Sequence, residues 1–320
     1  MVGIKDIAKA ANVSISTVSY ALNDSPKVTA STRERILAIA NEMNYIPNMA
    51  GRTLKRQKTN IIGIYLTDFG GSFYSSLLEG INKNLVKHGY DMIVCSGAKS
   101  HLFLPEKLID GAIILDVTFL DKEIEQYAER GHQIVVLDRE LEHNNICHVL
   151  LDNKAGATLA LDYLSRQDLK KLYLMTGPEK TYDSDVRLAT AKEELDRFGE
   201  VDYEIIVGDF TKSAGIEAAK KIVDEWQEPV GVFCFNDEMA IGMYDYLEQS
   251  DLKIGKDICI IGFDNSEVSK YLTPRLATID YSMYKWGAIA ANKIVNLLNK
   301  ESVKDEIIYT SLIPGASVEP

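Results

Sequence analysis

The chain has 320 residues, 46 % of them hydrophobic and 8 of them proline, so it is long enough for about two domains and too apolar to be disordered. No apolar run nears the ~20 residues of a membrane span, and Met1 leads straight into helical patterning with no signal-peptide core, which argues against a secreted or membrane protein and predicts a cytoplasmic one. The net charge of −12 is unevenly spread: nine basic against four acidic side chains give the first sixty residues +5 and leave −17 for the rest, and with screening setting in at about 8 Å an acidic body hardly opposes a basic end that touches nucleic acid.

Ile4, Ile7, Ala8 and Ala11 recur at helical spacing and predict a first helix ending near Ala11. Asn12, Val13 and Ser14 read as a polar turn, after which Ser14 or Ser16 caps a second helix with Val18, Ala21 and Leu22 inward. A third amphipathic helix is predicted over 28–45, stopped by Pro47. In a helix-turn-helix, small or branched Ala8, Val13 and Val18 let two helices cross closely, while the second turns Ile15, Ser16, Thr17, Ser19 and Tyr20 toward base edges and phosphates. A plain helical hairpin with a solvated face has the same spacing. The polar run that follows, with Gly51, Arg52, Leu54, Lys55 and Arg56, is too short to be a stable helix in isolation.

From Ile61 onward, apolar strand runs (IIGIYL, DMIVCS, GAIIL, QIVVLD, HVLLD, KLYLM, EIIVGDF, GVFCF, DICIIGF) alternate with amphipathic helices, including ones over 156–165, 188–198, 214–226 and 238–249. Strict alternation means parallel sheets covered on both faces, and so many units suggest two similar lobes. Cys95, Cys147, Cys234 and Cys259 sit in strand-like runs without a C-x-x-C pair, so buried reduced thiols are expected. His143, Cys147 and His148 fit no standard zinc spacing, and neither metal nor cofactor is expected. The phosphate loop GxxxxGK[ST], the GxSxG elbow, HExxH and a GxGxxG fingerprint after the first strand are all missing, which argues against an enzyme. Asp183 and Asp185 read as a solvated carboxylate pair in a loop.

Taken together, IKDIAKAANVSISTVSYALN, VTASTRERILAIANEMNYIPN and AGRTLKRQKTNIIGI resemble the DNA-binding head, third helix and hinge of the LacI/GalR family of bacterial transcription regulators. The likeness continues through EGI, IDG, LLDN, GPE, GDF, FNDEMAIG and IIGFDNSE to about Ile313. It implies an all-α helix-turn-helix head and an α/β body of two Rossmann-like lobes with periplasmic-binding-protein-like architecture. The expected divisions are a head over 1–47, a hinge over 48–59 and an effector-binding and dimerisation domain over 60–320. Lobe one takes about 60–150 and 284–306, lobe two about 151–282 and 307–320, with Ile307 to Ile313 as its final strand.

The resemblance further implies a sequence-specific regulator, expected to repress carbohydrate-utilisation genes. It binds a palindromic operator as a homodimer and answers to a small molecule, expected to be a sugar, between the lobes. Ser14, Ile15, Ser16, Thr17, Ser19, Tyr20 and Asn23 of the head would meet DNA, with Asn48, Arg52, Leu54 and Lys55 of the hinge. Leu54 matches the family's wedge in the central base step, where unstacking costs a few kcal/mol and the bend lets basic groups reach phosphates; packing on the body is its alternative. Gly51 replaces the usual alanine and raises the cost of ordering the hinge by up to about 1 kcal/mol. Tyr20 stands where Arg or His is frequent, which predicts an altered half-site preference.

Ligands of open parallel sheets bind outside the carboxyl ends of the strands. Phe69, Phe73, Tyr74, Asp138, Arg187, Phe210, Asn236, Asp264 and Tyr281 fall at such ends, a mixture of charged groups, amide and rings suited to hydroxyls and C–H faces. Arg187, Asn236 and Asp264 match the family's regular ligand contacts by motif, and Phe73, Tyr74 and Phe210 its cleft aromatics. Asp237 and Asp264 have helix capping as their alternative role, and Phe73 the core. Two departures stand out: only HLFLP, residues 101–105, fills a place where the family has a longer helix, and LIPGAS lacks an arginine common near that strand's end. The rival readings are a catabolite-control regulator whose co-effector is a phosphorylated carrier protein, and a solute-binding sensor.

Overall fold

The computed structural model describes residues 2–46, 58–70, 73–199 and 201–318, and the chain divides into two compact units, Met1–Gln57 and Lys58–Pro320. The expected hinge contacts Asn48, Arg52, Leu54 and Lys55 lie outside the described residues.

The first unit is three helices, α1 (Ile4–Ala10), α2 (Ile15–Leu22) and α3 (Ala30–Glu42). Their inward faces enclose a small core of Ile7, Ala8, Ala11, Val18, Ala21, Val28, Ile36 and Ala40. Each start is fixed locally. Gly3 N–H donates to Asp6 at 2.9 Å, Ser14 Oγ accepts from Thr17 N–H at 3.1 Å, and Thr29 Oγ1 accepts from Thr32 N–H at 3.4 Å, each satisfying a donor that the first turn leaves open. Asn12, at φ 49°, turns the chain out of α1 while Val13 N–H closes on Ala8 O at 3.0 Å. Asparagine tolerates this left-handed backbone better than most residues. The third helix is shorter than the sequence predicts. It is capped by Thr29 rather than beginning at Val28, and ends at Glu42 because Asn44 (φ 49°) reverses the chain before Pro47 can act.

In the second unit, β1 (Ile61–Leu66), β2 (Asp91–Cys95), β3 (Gly111–Leu115), β4 (Gln133–Val136), β5 (Ile146–Leu151) and β11 (Glu306–Ile308) form one parallel sheet of order β11-β5-β4-β3-β1-β2. The other sheet holds β6 (Lys171–Thr176), β7 (Asp202–Val207), β8 (Val230–Cys234), β9 (Ile258–Phe263), β10 (Ala277–Asp280) and β12 (Ser311–Ile313) in the order β12-β10-β9-β8-β6-β7, parallel except where β12 runs against β10. The expected single final strand therefore divides: β11 joins the first sheet and β12 the second. Asp152 N–H on Ile308 O (2.9 Å) and Thr310 Oγ1 on Asp152 O (3.3 Å) tie this crossing to the one after β5.

Lobe one carries α4 (Phe73–Lys87), α5 (Asp121–Glu129) and α10 (Met283–Leu298); lobe two carries α6 (Asn153–Leu164), α7 (Tyr182–Phe198), α8 (Lys212–Glu225) and α9 (Asp237–Leu247). In each lobe a pair of helices packs backbone against backbone. A Cβ on Gly80 would stand 2.1 Å from Tyr284 O and one on Gly287 2.2 Å from Leu77 O, locking α4 to α10. Gly215 and Gly242 do the same for α8 and α9, with added Cβ atoms 2.0 Å from Met239 O and from Lys212 O. Trp286 of α10 is fully buried and donates to Val149 O at 2.7 Å, anchoring that helix under β5.

Where the chain enters the body, Asp110 accepts from Thr59 N–H (2.7 Å), Thr59 Oγ1 (2.8 Å) and Asn60 N–H (2.8 Å). All four cysteines are buried and none is in a disulfide. Among the described residues no helix is long and apolar enough to cross a membrane, and no cluster of three or more His, Cys, Asp or Glu could hold a metal. Of the segment 101–105, the first three residues end a 3-10 turn (Ala98–Phe103) that buries His101 flat on Phe119, ring centroids 3.8 Å apart. The structure gives no account of the arginine missing from LIPGAS.

Candidate functional site

On the head, Ile15 is 45 % exposed and Ser16 is exposed, at the N-terminal end of α2, where unpaired N–H groups favour phosphates. Thr17, Ser19 and Tyr20 are half-buried on the rim. Ser14 is committed to capping, with Thr17 Oγ1 2.8 Å from its hydroxyl, and Asn23 Nδ2 donates to Ser19 O at 2.7 Å. Lys27 Nζ lies 5.2 Å from the Tyr20 ring centroid, putting a cation beside that ring. Arg33, counted in the basic excess, is spent inside the head: it bridges to Asp24 and donates to Ser25 O at 2.9 Å, holding the loop between α2 and α3.

In the body, the strand ends of the two lobes converge. Arg187 on α7 is 3 % exposed. Its Nε donates to Asn153 Oδ1 at 2.7 Å, one terminal nitrogen donates to Phe235 O, and its guanidinium carbon lies 3.5 Å from the Phe263 ring centroid. The other terminal nitrogen bonds no described residue. Asn153 in turn donates to Asp183 Oδ1 at 2.7 Å. Asp264, directly after β9, sits at φ 120°, a backbone that L residues rarely adopt. Its Oδ1 accepts from Tyr281 O–H at 2.7 Å. Burial lifts the Asp264 carboxyl well above the usual carboxylate range, against the pull of Arg187 and with a push from Asp237, and the Tyr281 hydroxyl is raised by the same burial and by Asp264. An acceptor and a donor face are thus presented side by side.

Asn236 caps α9, its Oδ1 accepting from Met239 N–H at 3.0 Å, and its Nδ2 donates to Phe210 O at 2.9 Å. That bond holds Phe210 at φ 67° with its ring over Gly177, where a Cβ would come within 2.1 Å of the ring. Asp237 is fully buried. It does not cap α9, the alternative the sequence left open, and accepts instead from Thr278 Oγ1 (2.6 Å) and Ser266 N–H (2.7 Å), which ties α9 to β10.

Burial pushes the Asp237 carboxyl up to about 6, against the hydrogen bonds that favour its charged form. A folded value above the unfolded one means that its stabilising contribution is full below the ordinary carboxylate range and is lost as pH rises through about 6. Asp237→Asn should therefore gain on the wild type between pH 4 and pH 7. A thermal-denaturation series in which the gap between the two proteins stays constant would contradict this.

Lobe one contributes Asp138, 8 % exposed after β4, and Phe69, Phe73 and Tyr74 after β1. Phe69 is 59 % exposed, whereas Phe73 and Tyr74 are partly buried against the core with ring centroids 5.0 Å apart. Burial raises the Tyr74 hydroxyl to about 12, with Asp68, Asp116 and Asp138 adding to it. Burial also raises Asp138 despite Arg139, and Asp183 of the opposite lobe pushes it further. Across the gap Tyr182 O–H donates to Glu140 Oε1 at 2.9 Å.

Asn153, Asp183, Tyr182, Glu140 and Arg139 bond or adjoin the candidate residues, and the sequence reading did not place them there. Asp183 is not in a solvated loop: α7 starts six residues earlier than the apolar pattern indicates, and its first turn takes Asp183 and Asp185, where the helix dipole favours carboxylates. Asn153 was legible only as part of LLDN; its partner lies 30 residues away.

A three-helix unit with an exposed polar recognition face, on the same chain as a two-lobed fold whose strand ends converge on buried polar groups, defines a one-component regulator that unites DNA binding with ligand sensing. Residues 3–48 match the model for bacterial regulatory proteins of the lacI family, and 161–318 that for a periplasmic binding protein-like domain. The chain is 31 % identical to the probable HTH-type transcriptional repressor ExuR of Bacillus subtilis (strain 168), over 96 % of this chain and 95 % of that protein. A crystal structure of a sugar-binding transcriptional regulator (LacI family) from Enterococcus faecalis is similar at 59 % identity and TM-score 0.79, covering 83 % of this chain and 100 % of that one. The lac repressor dimer bound to operator and the anti-inducer ONPF shares the fold at TM-score 0.79 and 23 % identity, covering 99 % and 98 %. The chain belongs to the lacI family of bacterial transcription regulators.

Proposed function

We propose that the protein is a cytoplasmic homodimer that represses carbohydrate-utilisation genes from a palindromic operator, under control of a small polyhydroxylated ligand held between the lobes, and that it has no catalytic role. Two heads read half-sites about one helical turn, ~34 Å, apart. Ser16, Thr17, Ser19 and Tyr20 face bases and backbone, and Arg52, Leu54 and Lys55 engage the centre of the site. The effector changes the relation of the lobes and with it the spacing at which the two DNA-reading ends are held. A coupling of roughly 1–3 kcal/mol would change operator affinity about 5- to 150-fold.

One observation carries the reading of the cleft. Arg187 has a terminal nitrogen that bonds no described residue and a charge that acts on Asp264, with Tyr281 on that carboxyl and Phe263 under the guanidinium. A guanidinium donates to hydroxyls, a carboxyl group meets them in either sense, and rings cover C–H faces. The sugar-binding description of the Enterococcus faecalis relative supports the ligand class.

The test is a mobility shift on a selected palindromic fragment, with and without the ligand found by thermal-shift screening of sugars. A change in affinity caused by the ligand alone supports the reading, whereas dependence on a phosphorylated carrier protein would replace it by the catabolite-control alternative. Leu54→Ala should weaken specific more than non-specific binding; equal loss at both kinds of site contradicts the wedge. Failure to shift any palindrome at low salt would favour a solute sensor.

A further inference from the structure

Resting on the reading of the cleft as a polyol site, we infer that Asn236 is a positioning residue and not a ligand contact: its amide, together with Gly177, sets the ring of Phe210 in place before the effector arrives, and that ring is the face on which the effector's C–H surface lies.

The partners of Asn236 fix the orientation of its amide. Met239 N–H can only donate and Phe210 O can only accept, so Oδ1 faces the first at 3.0 Å and Nδ2 the second at 2.9 Å. Turning the amide toward a ligand would break both bonds and uncap α9. The second N–H and the second lone pair belong to a residue only 9 % exposed, which leaves little of it for a ligand to touch.

Phe210 needs such a hold. It sits at φ 67°, a left-handed backbone that bulky residues rarely adopt, in the short passage from β7 to α8. On either side the chain is fastened elsewhere: Gly208 N–H donates to Thr176 O at 3.0 Å, Thr211 N–H to Asp209 Oδ1 at 2.9 Å, and Thr211 Oγ1 caps α8 by accepting from Ala214 N–H at 3.3 Å. The ring lies over Gly177, where a Cβ would overlap it. Gly177 N–H in turn donates to Ser184 Oγ at 3.0 Å, so the floor under the ring is tied to α7, the helix that carries Arg187. Phe210, Gly177 and Asn236 follow β7, β6 and β8, which are neighbours in the sheet.

The same turn reaches the cation. Arg187 donates to Phe235 O, the carbonyl just before Asn236, so one peptide step holds the guanidinium by its carbonyl and the ring by the next side chain. The donor for hydroxyls and the surface for C–H groups are thereby set relative to each other, and a ring ordered in advance spares the ligand the cost of ordering it.

Binding of glucose, galactose, mannose, ribose and xylose to the full chain is measured by calorimetry, and the sugar that binds is the probe for the variants. Serine caps a helix as asparagine does but has no N–H to give Phe210. Asn236→Ser should therefore keep the urea stability of the body while the probe binds about tenfold more weakly. Phe210→Ala should cost at least as much, and adding Asn236→Ser to it should cost no more than about twofold further, because the group through which Asn236 acts is already gone. Gly177→Ala, which leaves the amide untouched, should reproduce the loss by displacing the ring. Amide exchange reads the hold without ligand: in Asn236→Ser residues 208–211 should exchange at least about tenfold faster while Met239 stays protected. Asn236→Asp, which also caps, takes the place of the serine variant in every measurement if that variant does not fold. Wild-type affinity in the Asn236 variant, losses that multiply in the double variant, or unchanged exchange at 208–211 overturns the inference and leaves the polyol reading standing. A wild type that binds none of these sugars overturns the polyol reading, and the inference with it.

Discussion

Arg187→Met should abolish the effector response: ligand affinity is expected to fall at least about 100-fold, and the body to lose about 3–5 kcal/mol of stability. The loss is large because the guanidinium is 3 % exposed and is the shared partner of groups that are themselves buried. Without it Asn153 loses a 2.7 Å donor, the Phe235 carbonyl loses its partner and Asp264 loses the charge that opposes its burial. Methionine fills the space over Phe263 yet satisfies none of them. Urea unfolding reads the stability, calorimetry the affinity, and mobility shift the operator binding, which should persist without responding to ligand. Wild-type affinity in a folded variant would remove Arg187 from the site.

Gly80→Val should be the most damaging single change in lobe one, costing upwards of about 3 kcal/mol. The new side chain begins 2.1 Å from Tyr284 O and meets Ala288 N at 3.1 Å. Both obstacles are backbone of α10, which Trp286 holds beneath β5 at 2.7 Å, so the helices separate or the core under them opens. Gly242→Val in lobe two meets Lys212 O at 2.0 Å and should behave alike. Equilibrium urea unfolding of both variants gives the cost; a change under 1 kcal/mol at either site would mean that the helix pair slides freely.

These two changes differ in how far they could have been read from the chain. Arg187 stands in DVRLA and was marked by its resemblance to family ligand contacts. Gly80 and Gly287 look like ordinary helical glycines, and their role exists only because two helices some 200 residues apart meet. Asn236 falls between these cases. Its place after a strand was legible, but both its amide groups are engaged, one capping α9 and the other holding Phe210 in a left-handed backbone.

By itself, the sequence determined the local elements: the polar turn at 12–14 with a serine cap at its end, the alternation of strand and helix, and the placing of polar and aromatic residues at strand ends. Each depends on interactions within a few residues, where spacing and side-chain type suffice. The tertiary structure alone decided that α7 begins at Tyr182, that the last strand divides between two sheets, and that Tyr182 of one lobe bonds Glu140 of the other. Those outcomes depend on burial and charge contributed by residues distant in the chain, and no local pattern encodes the distance between them.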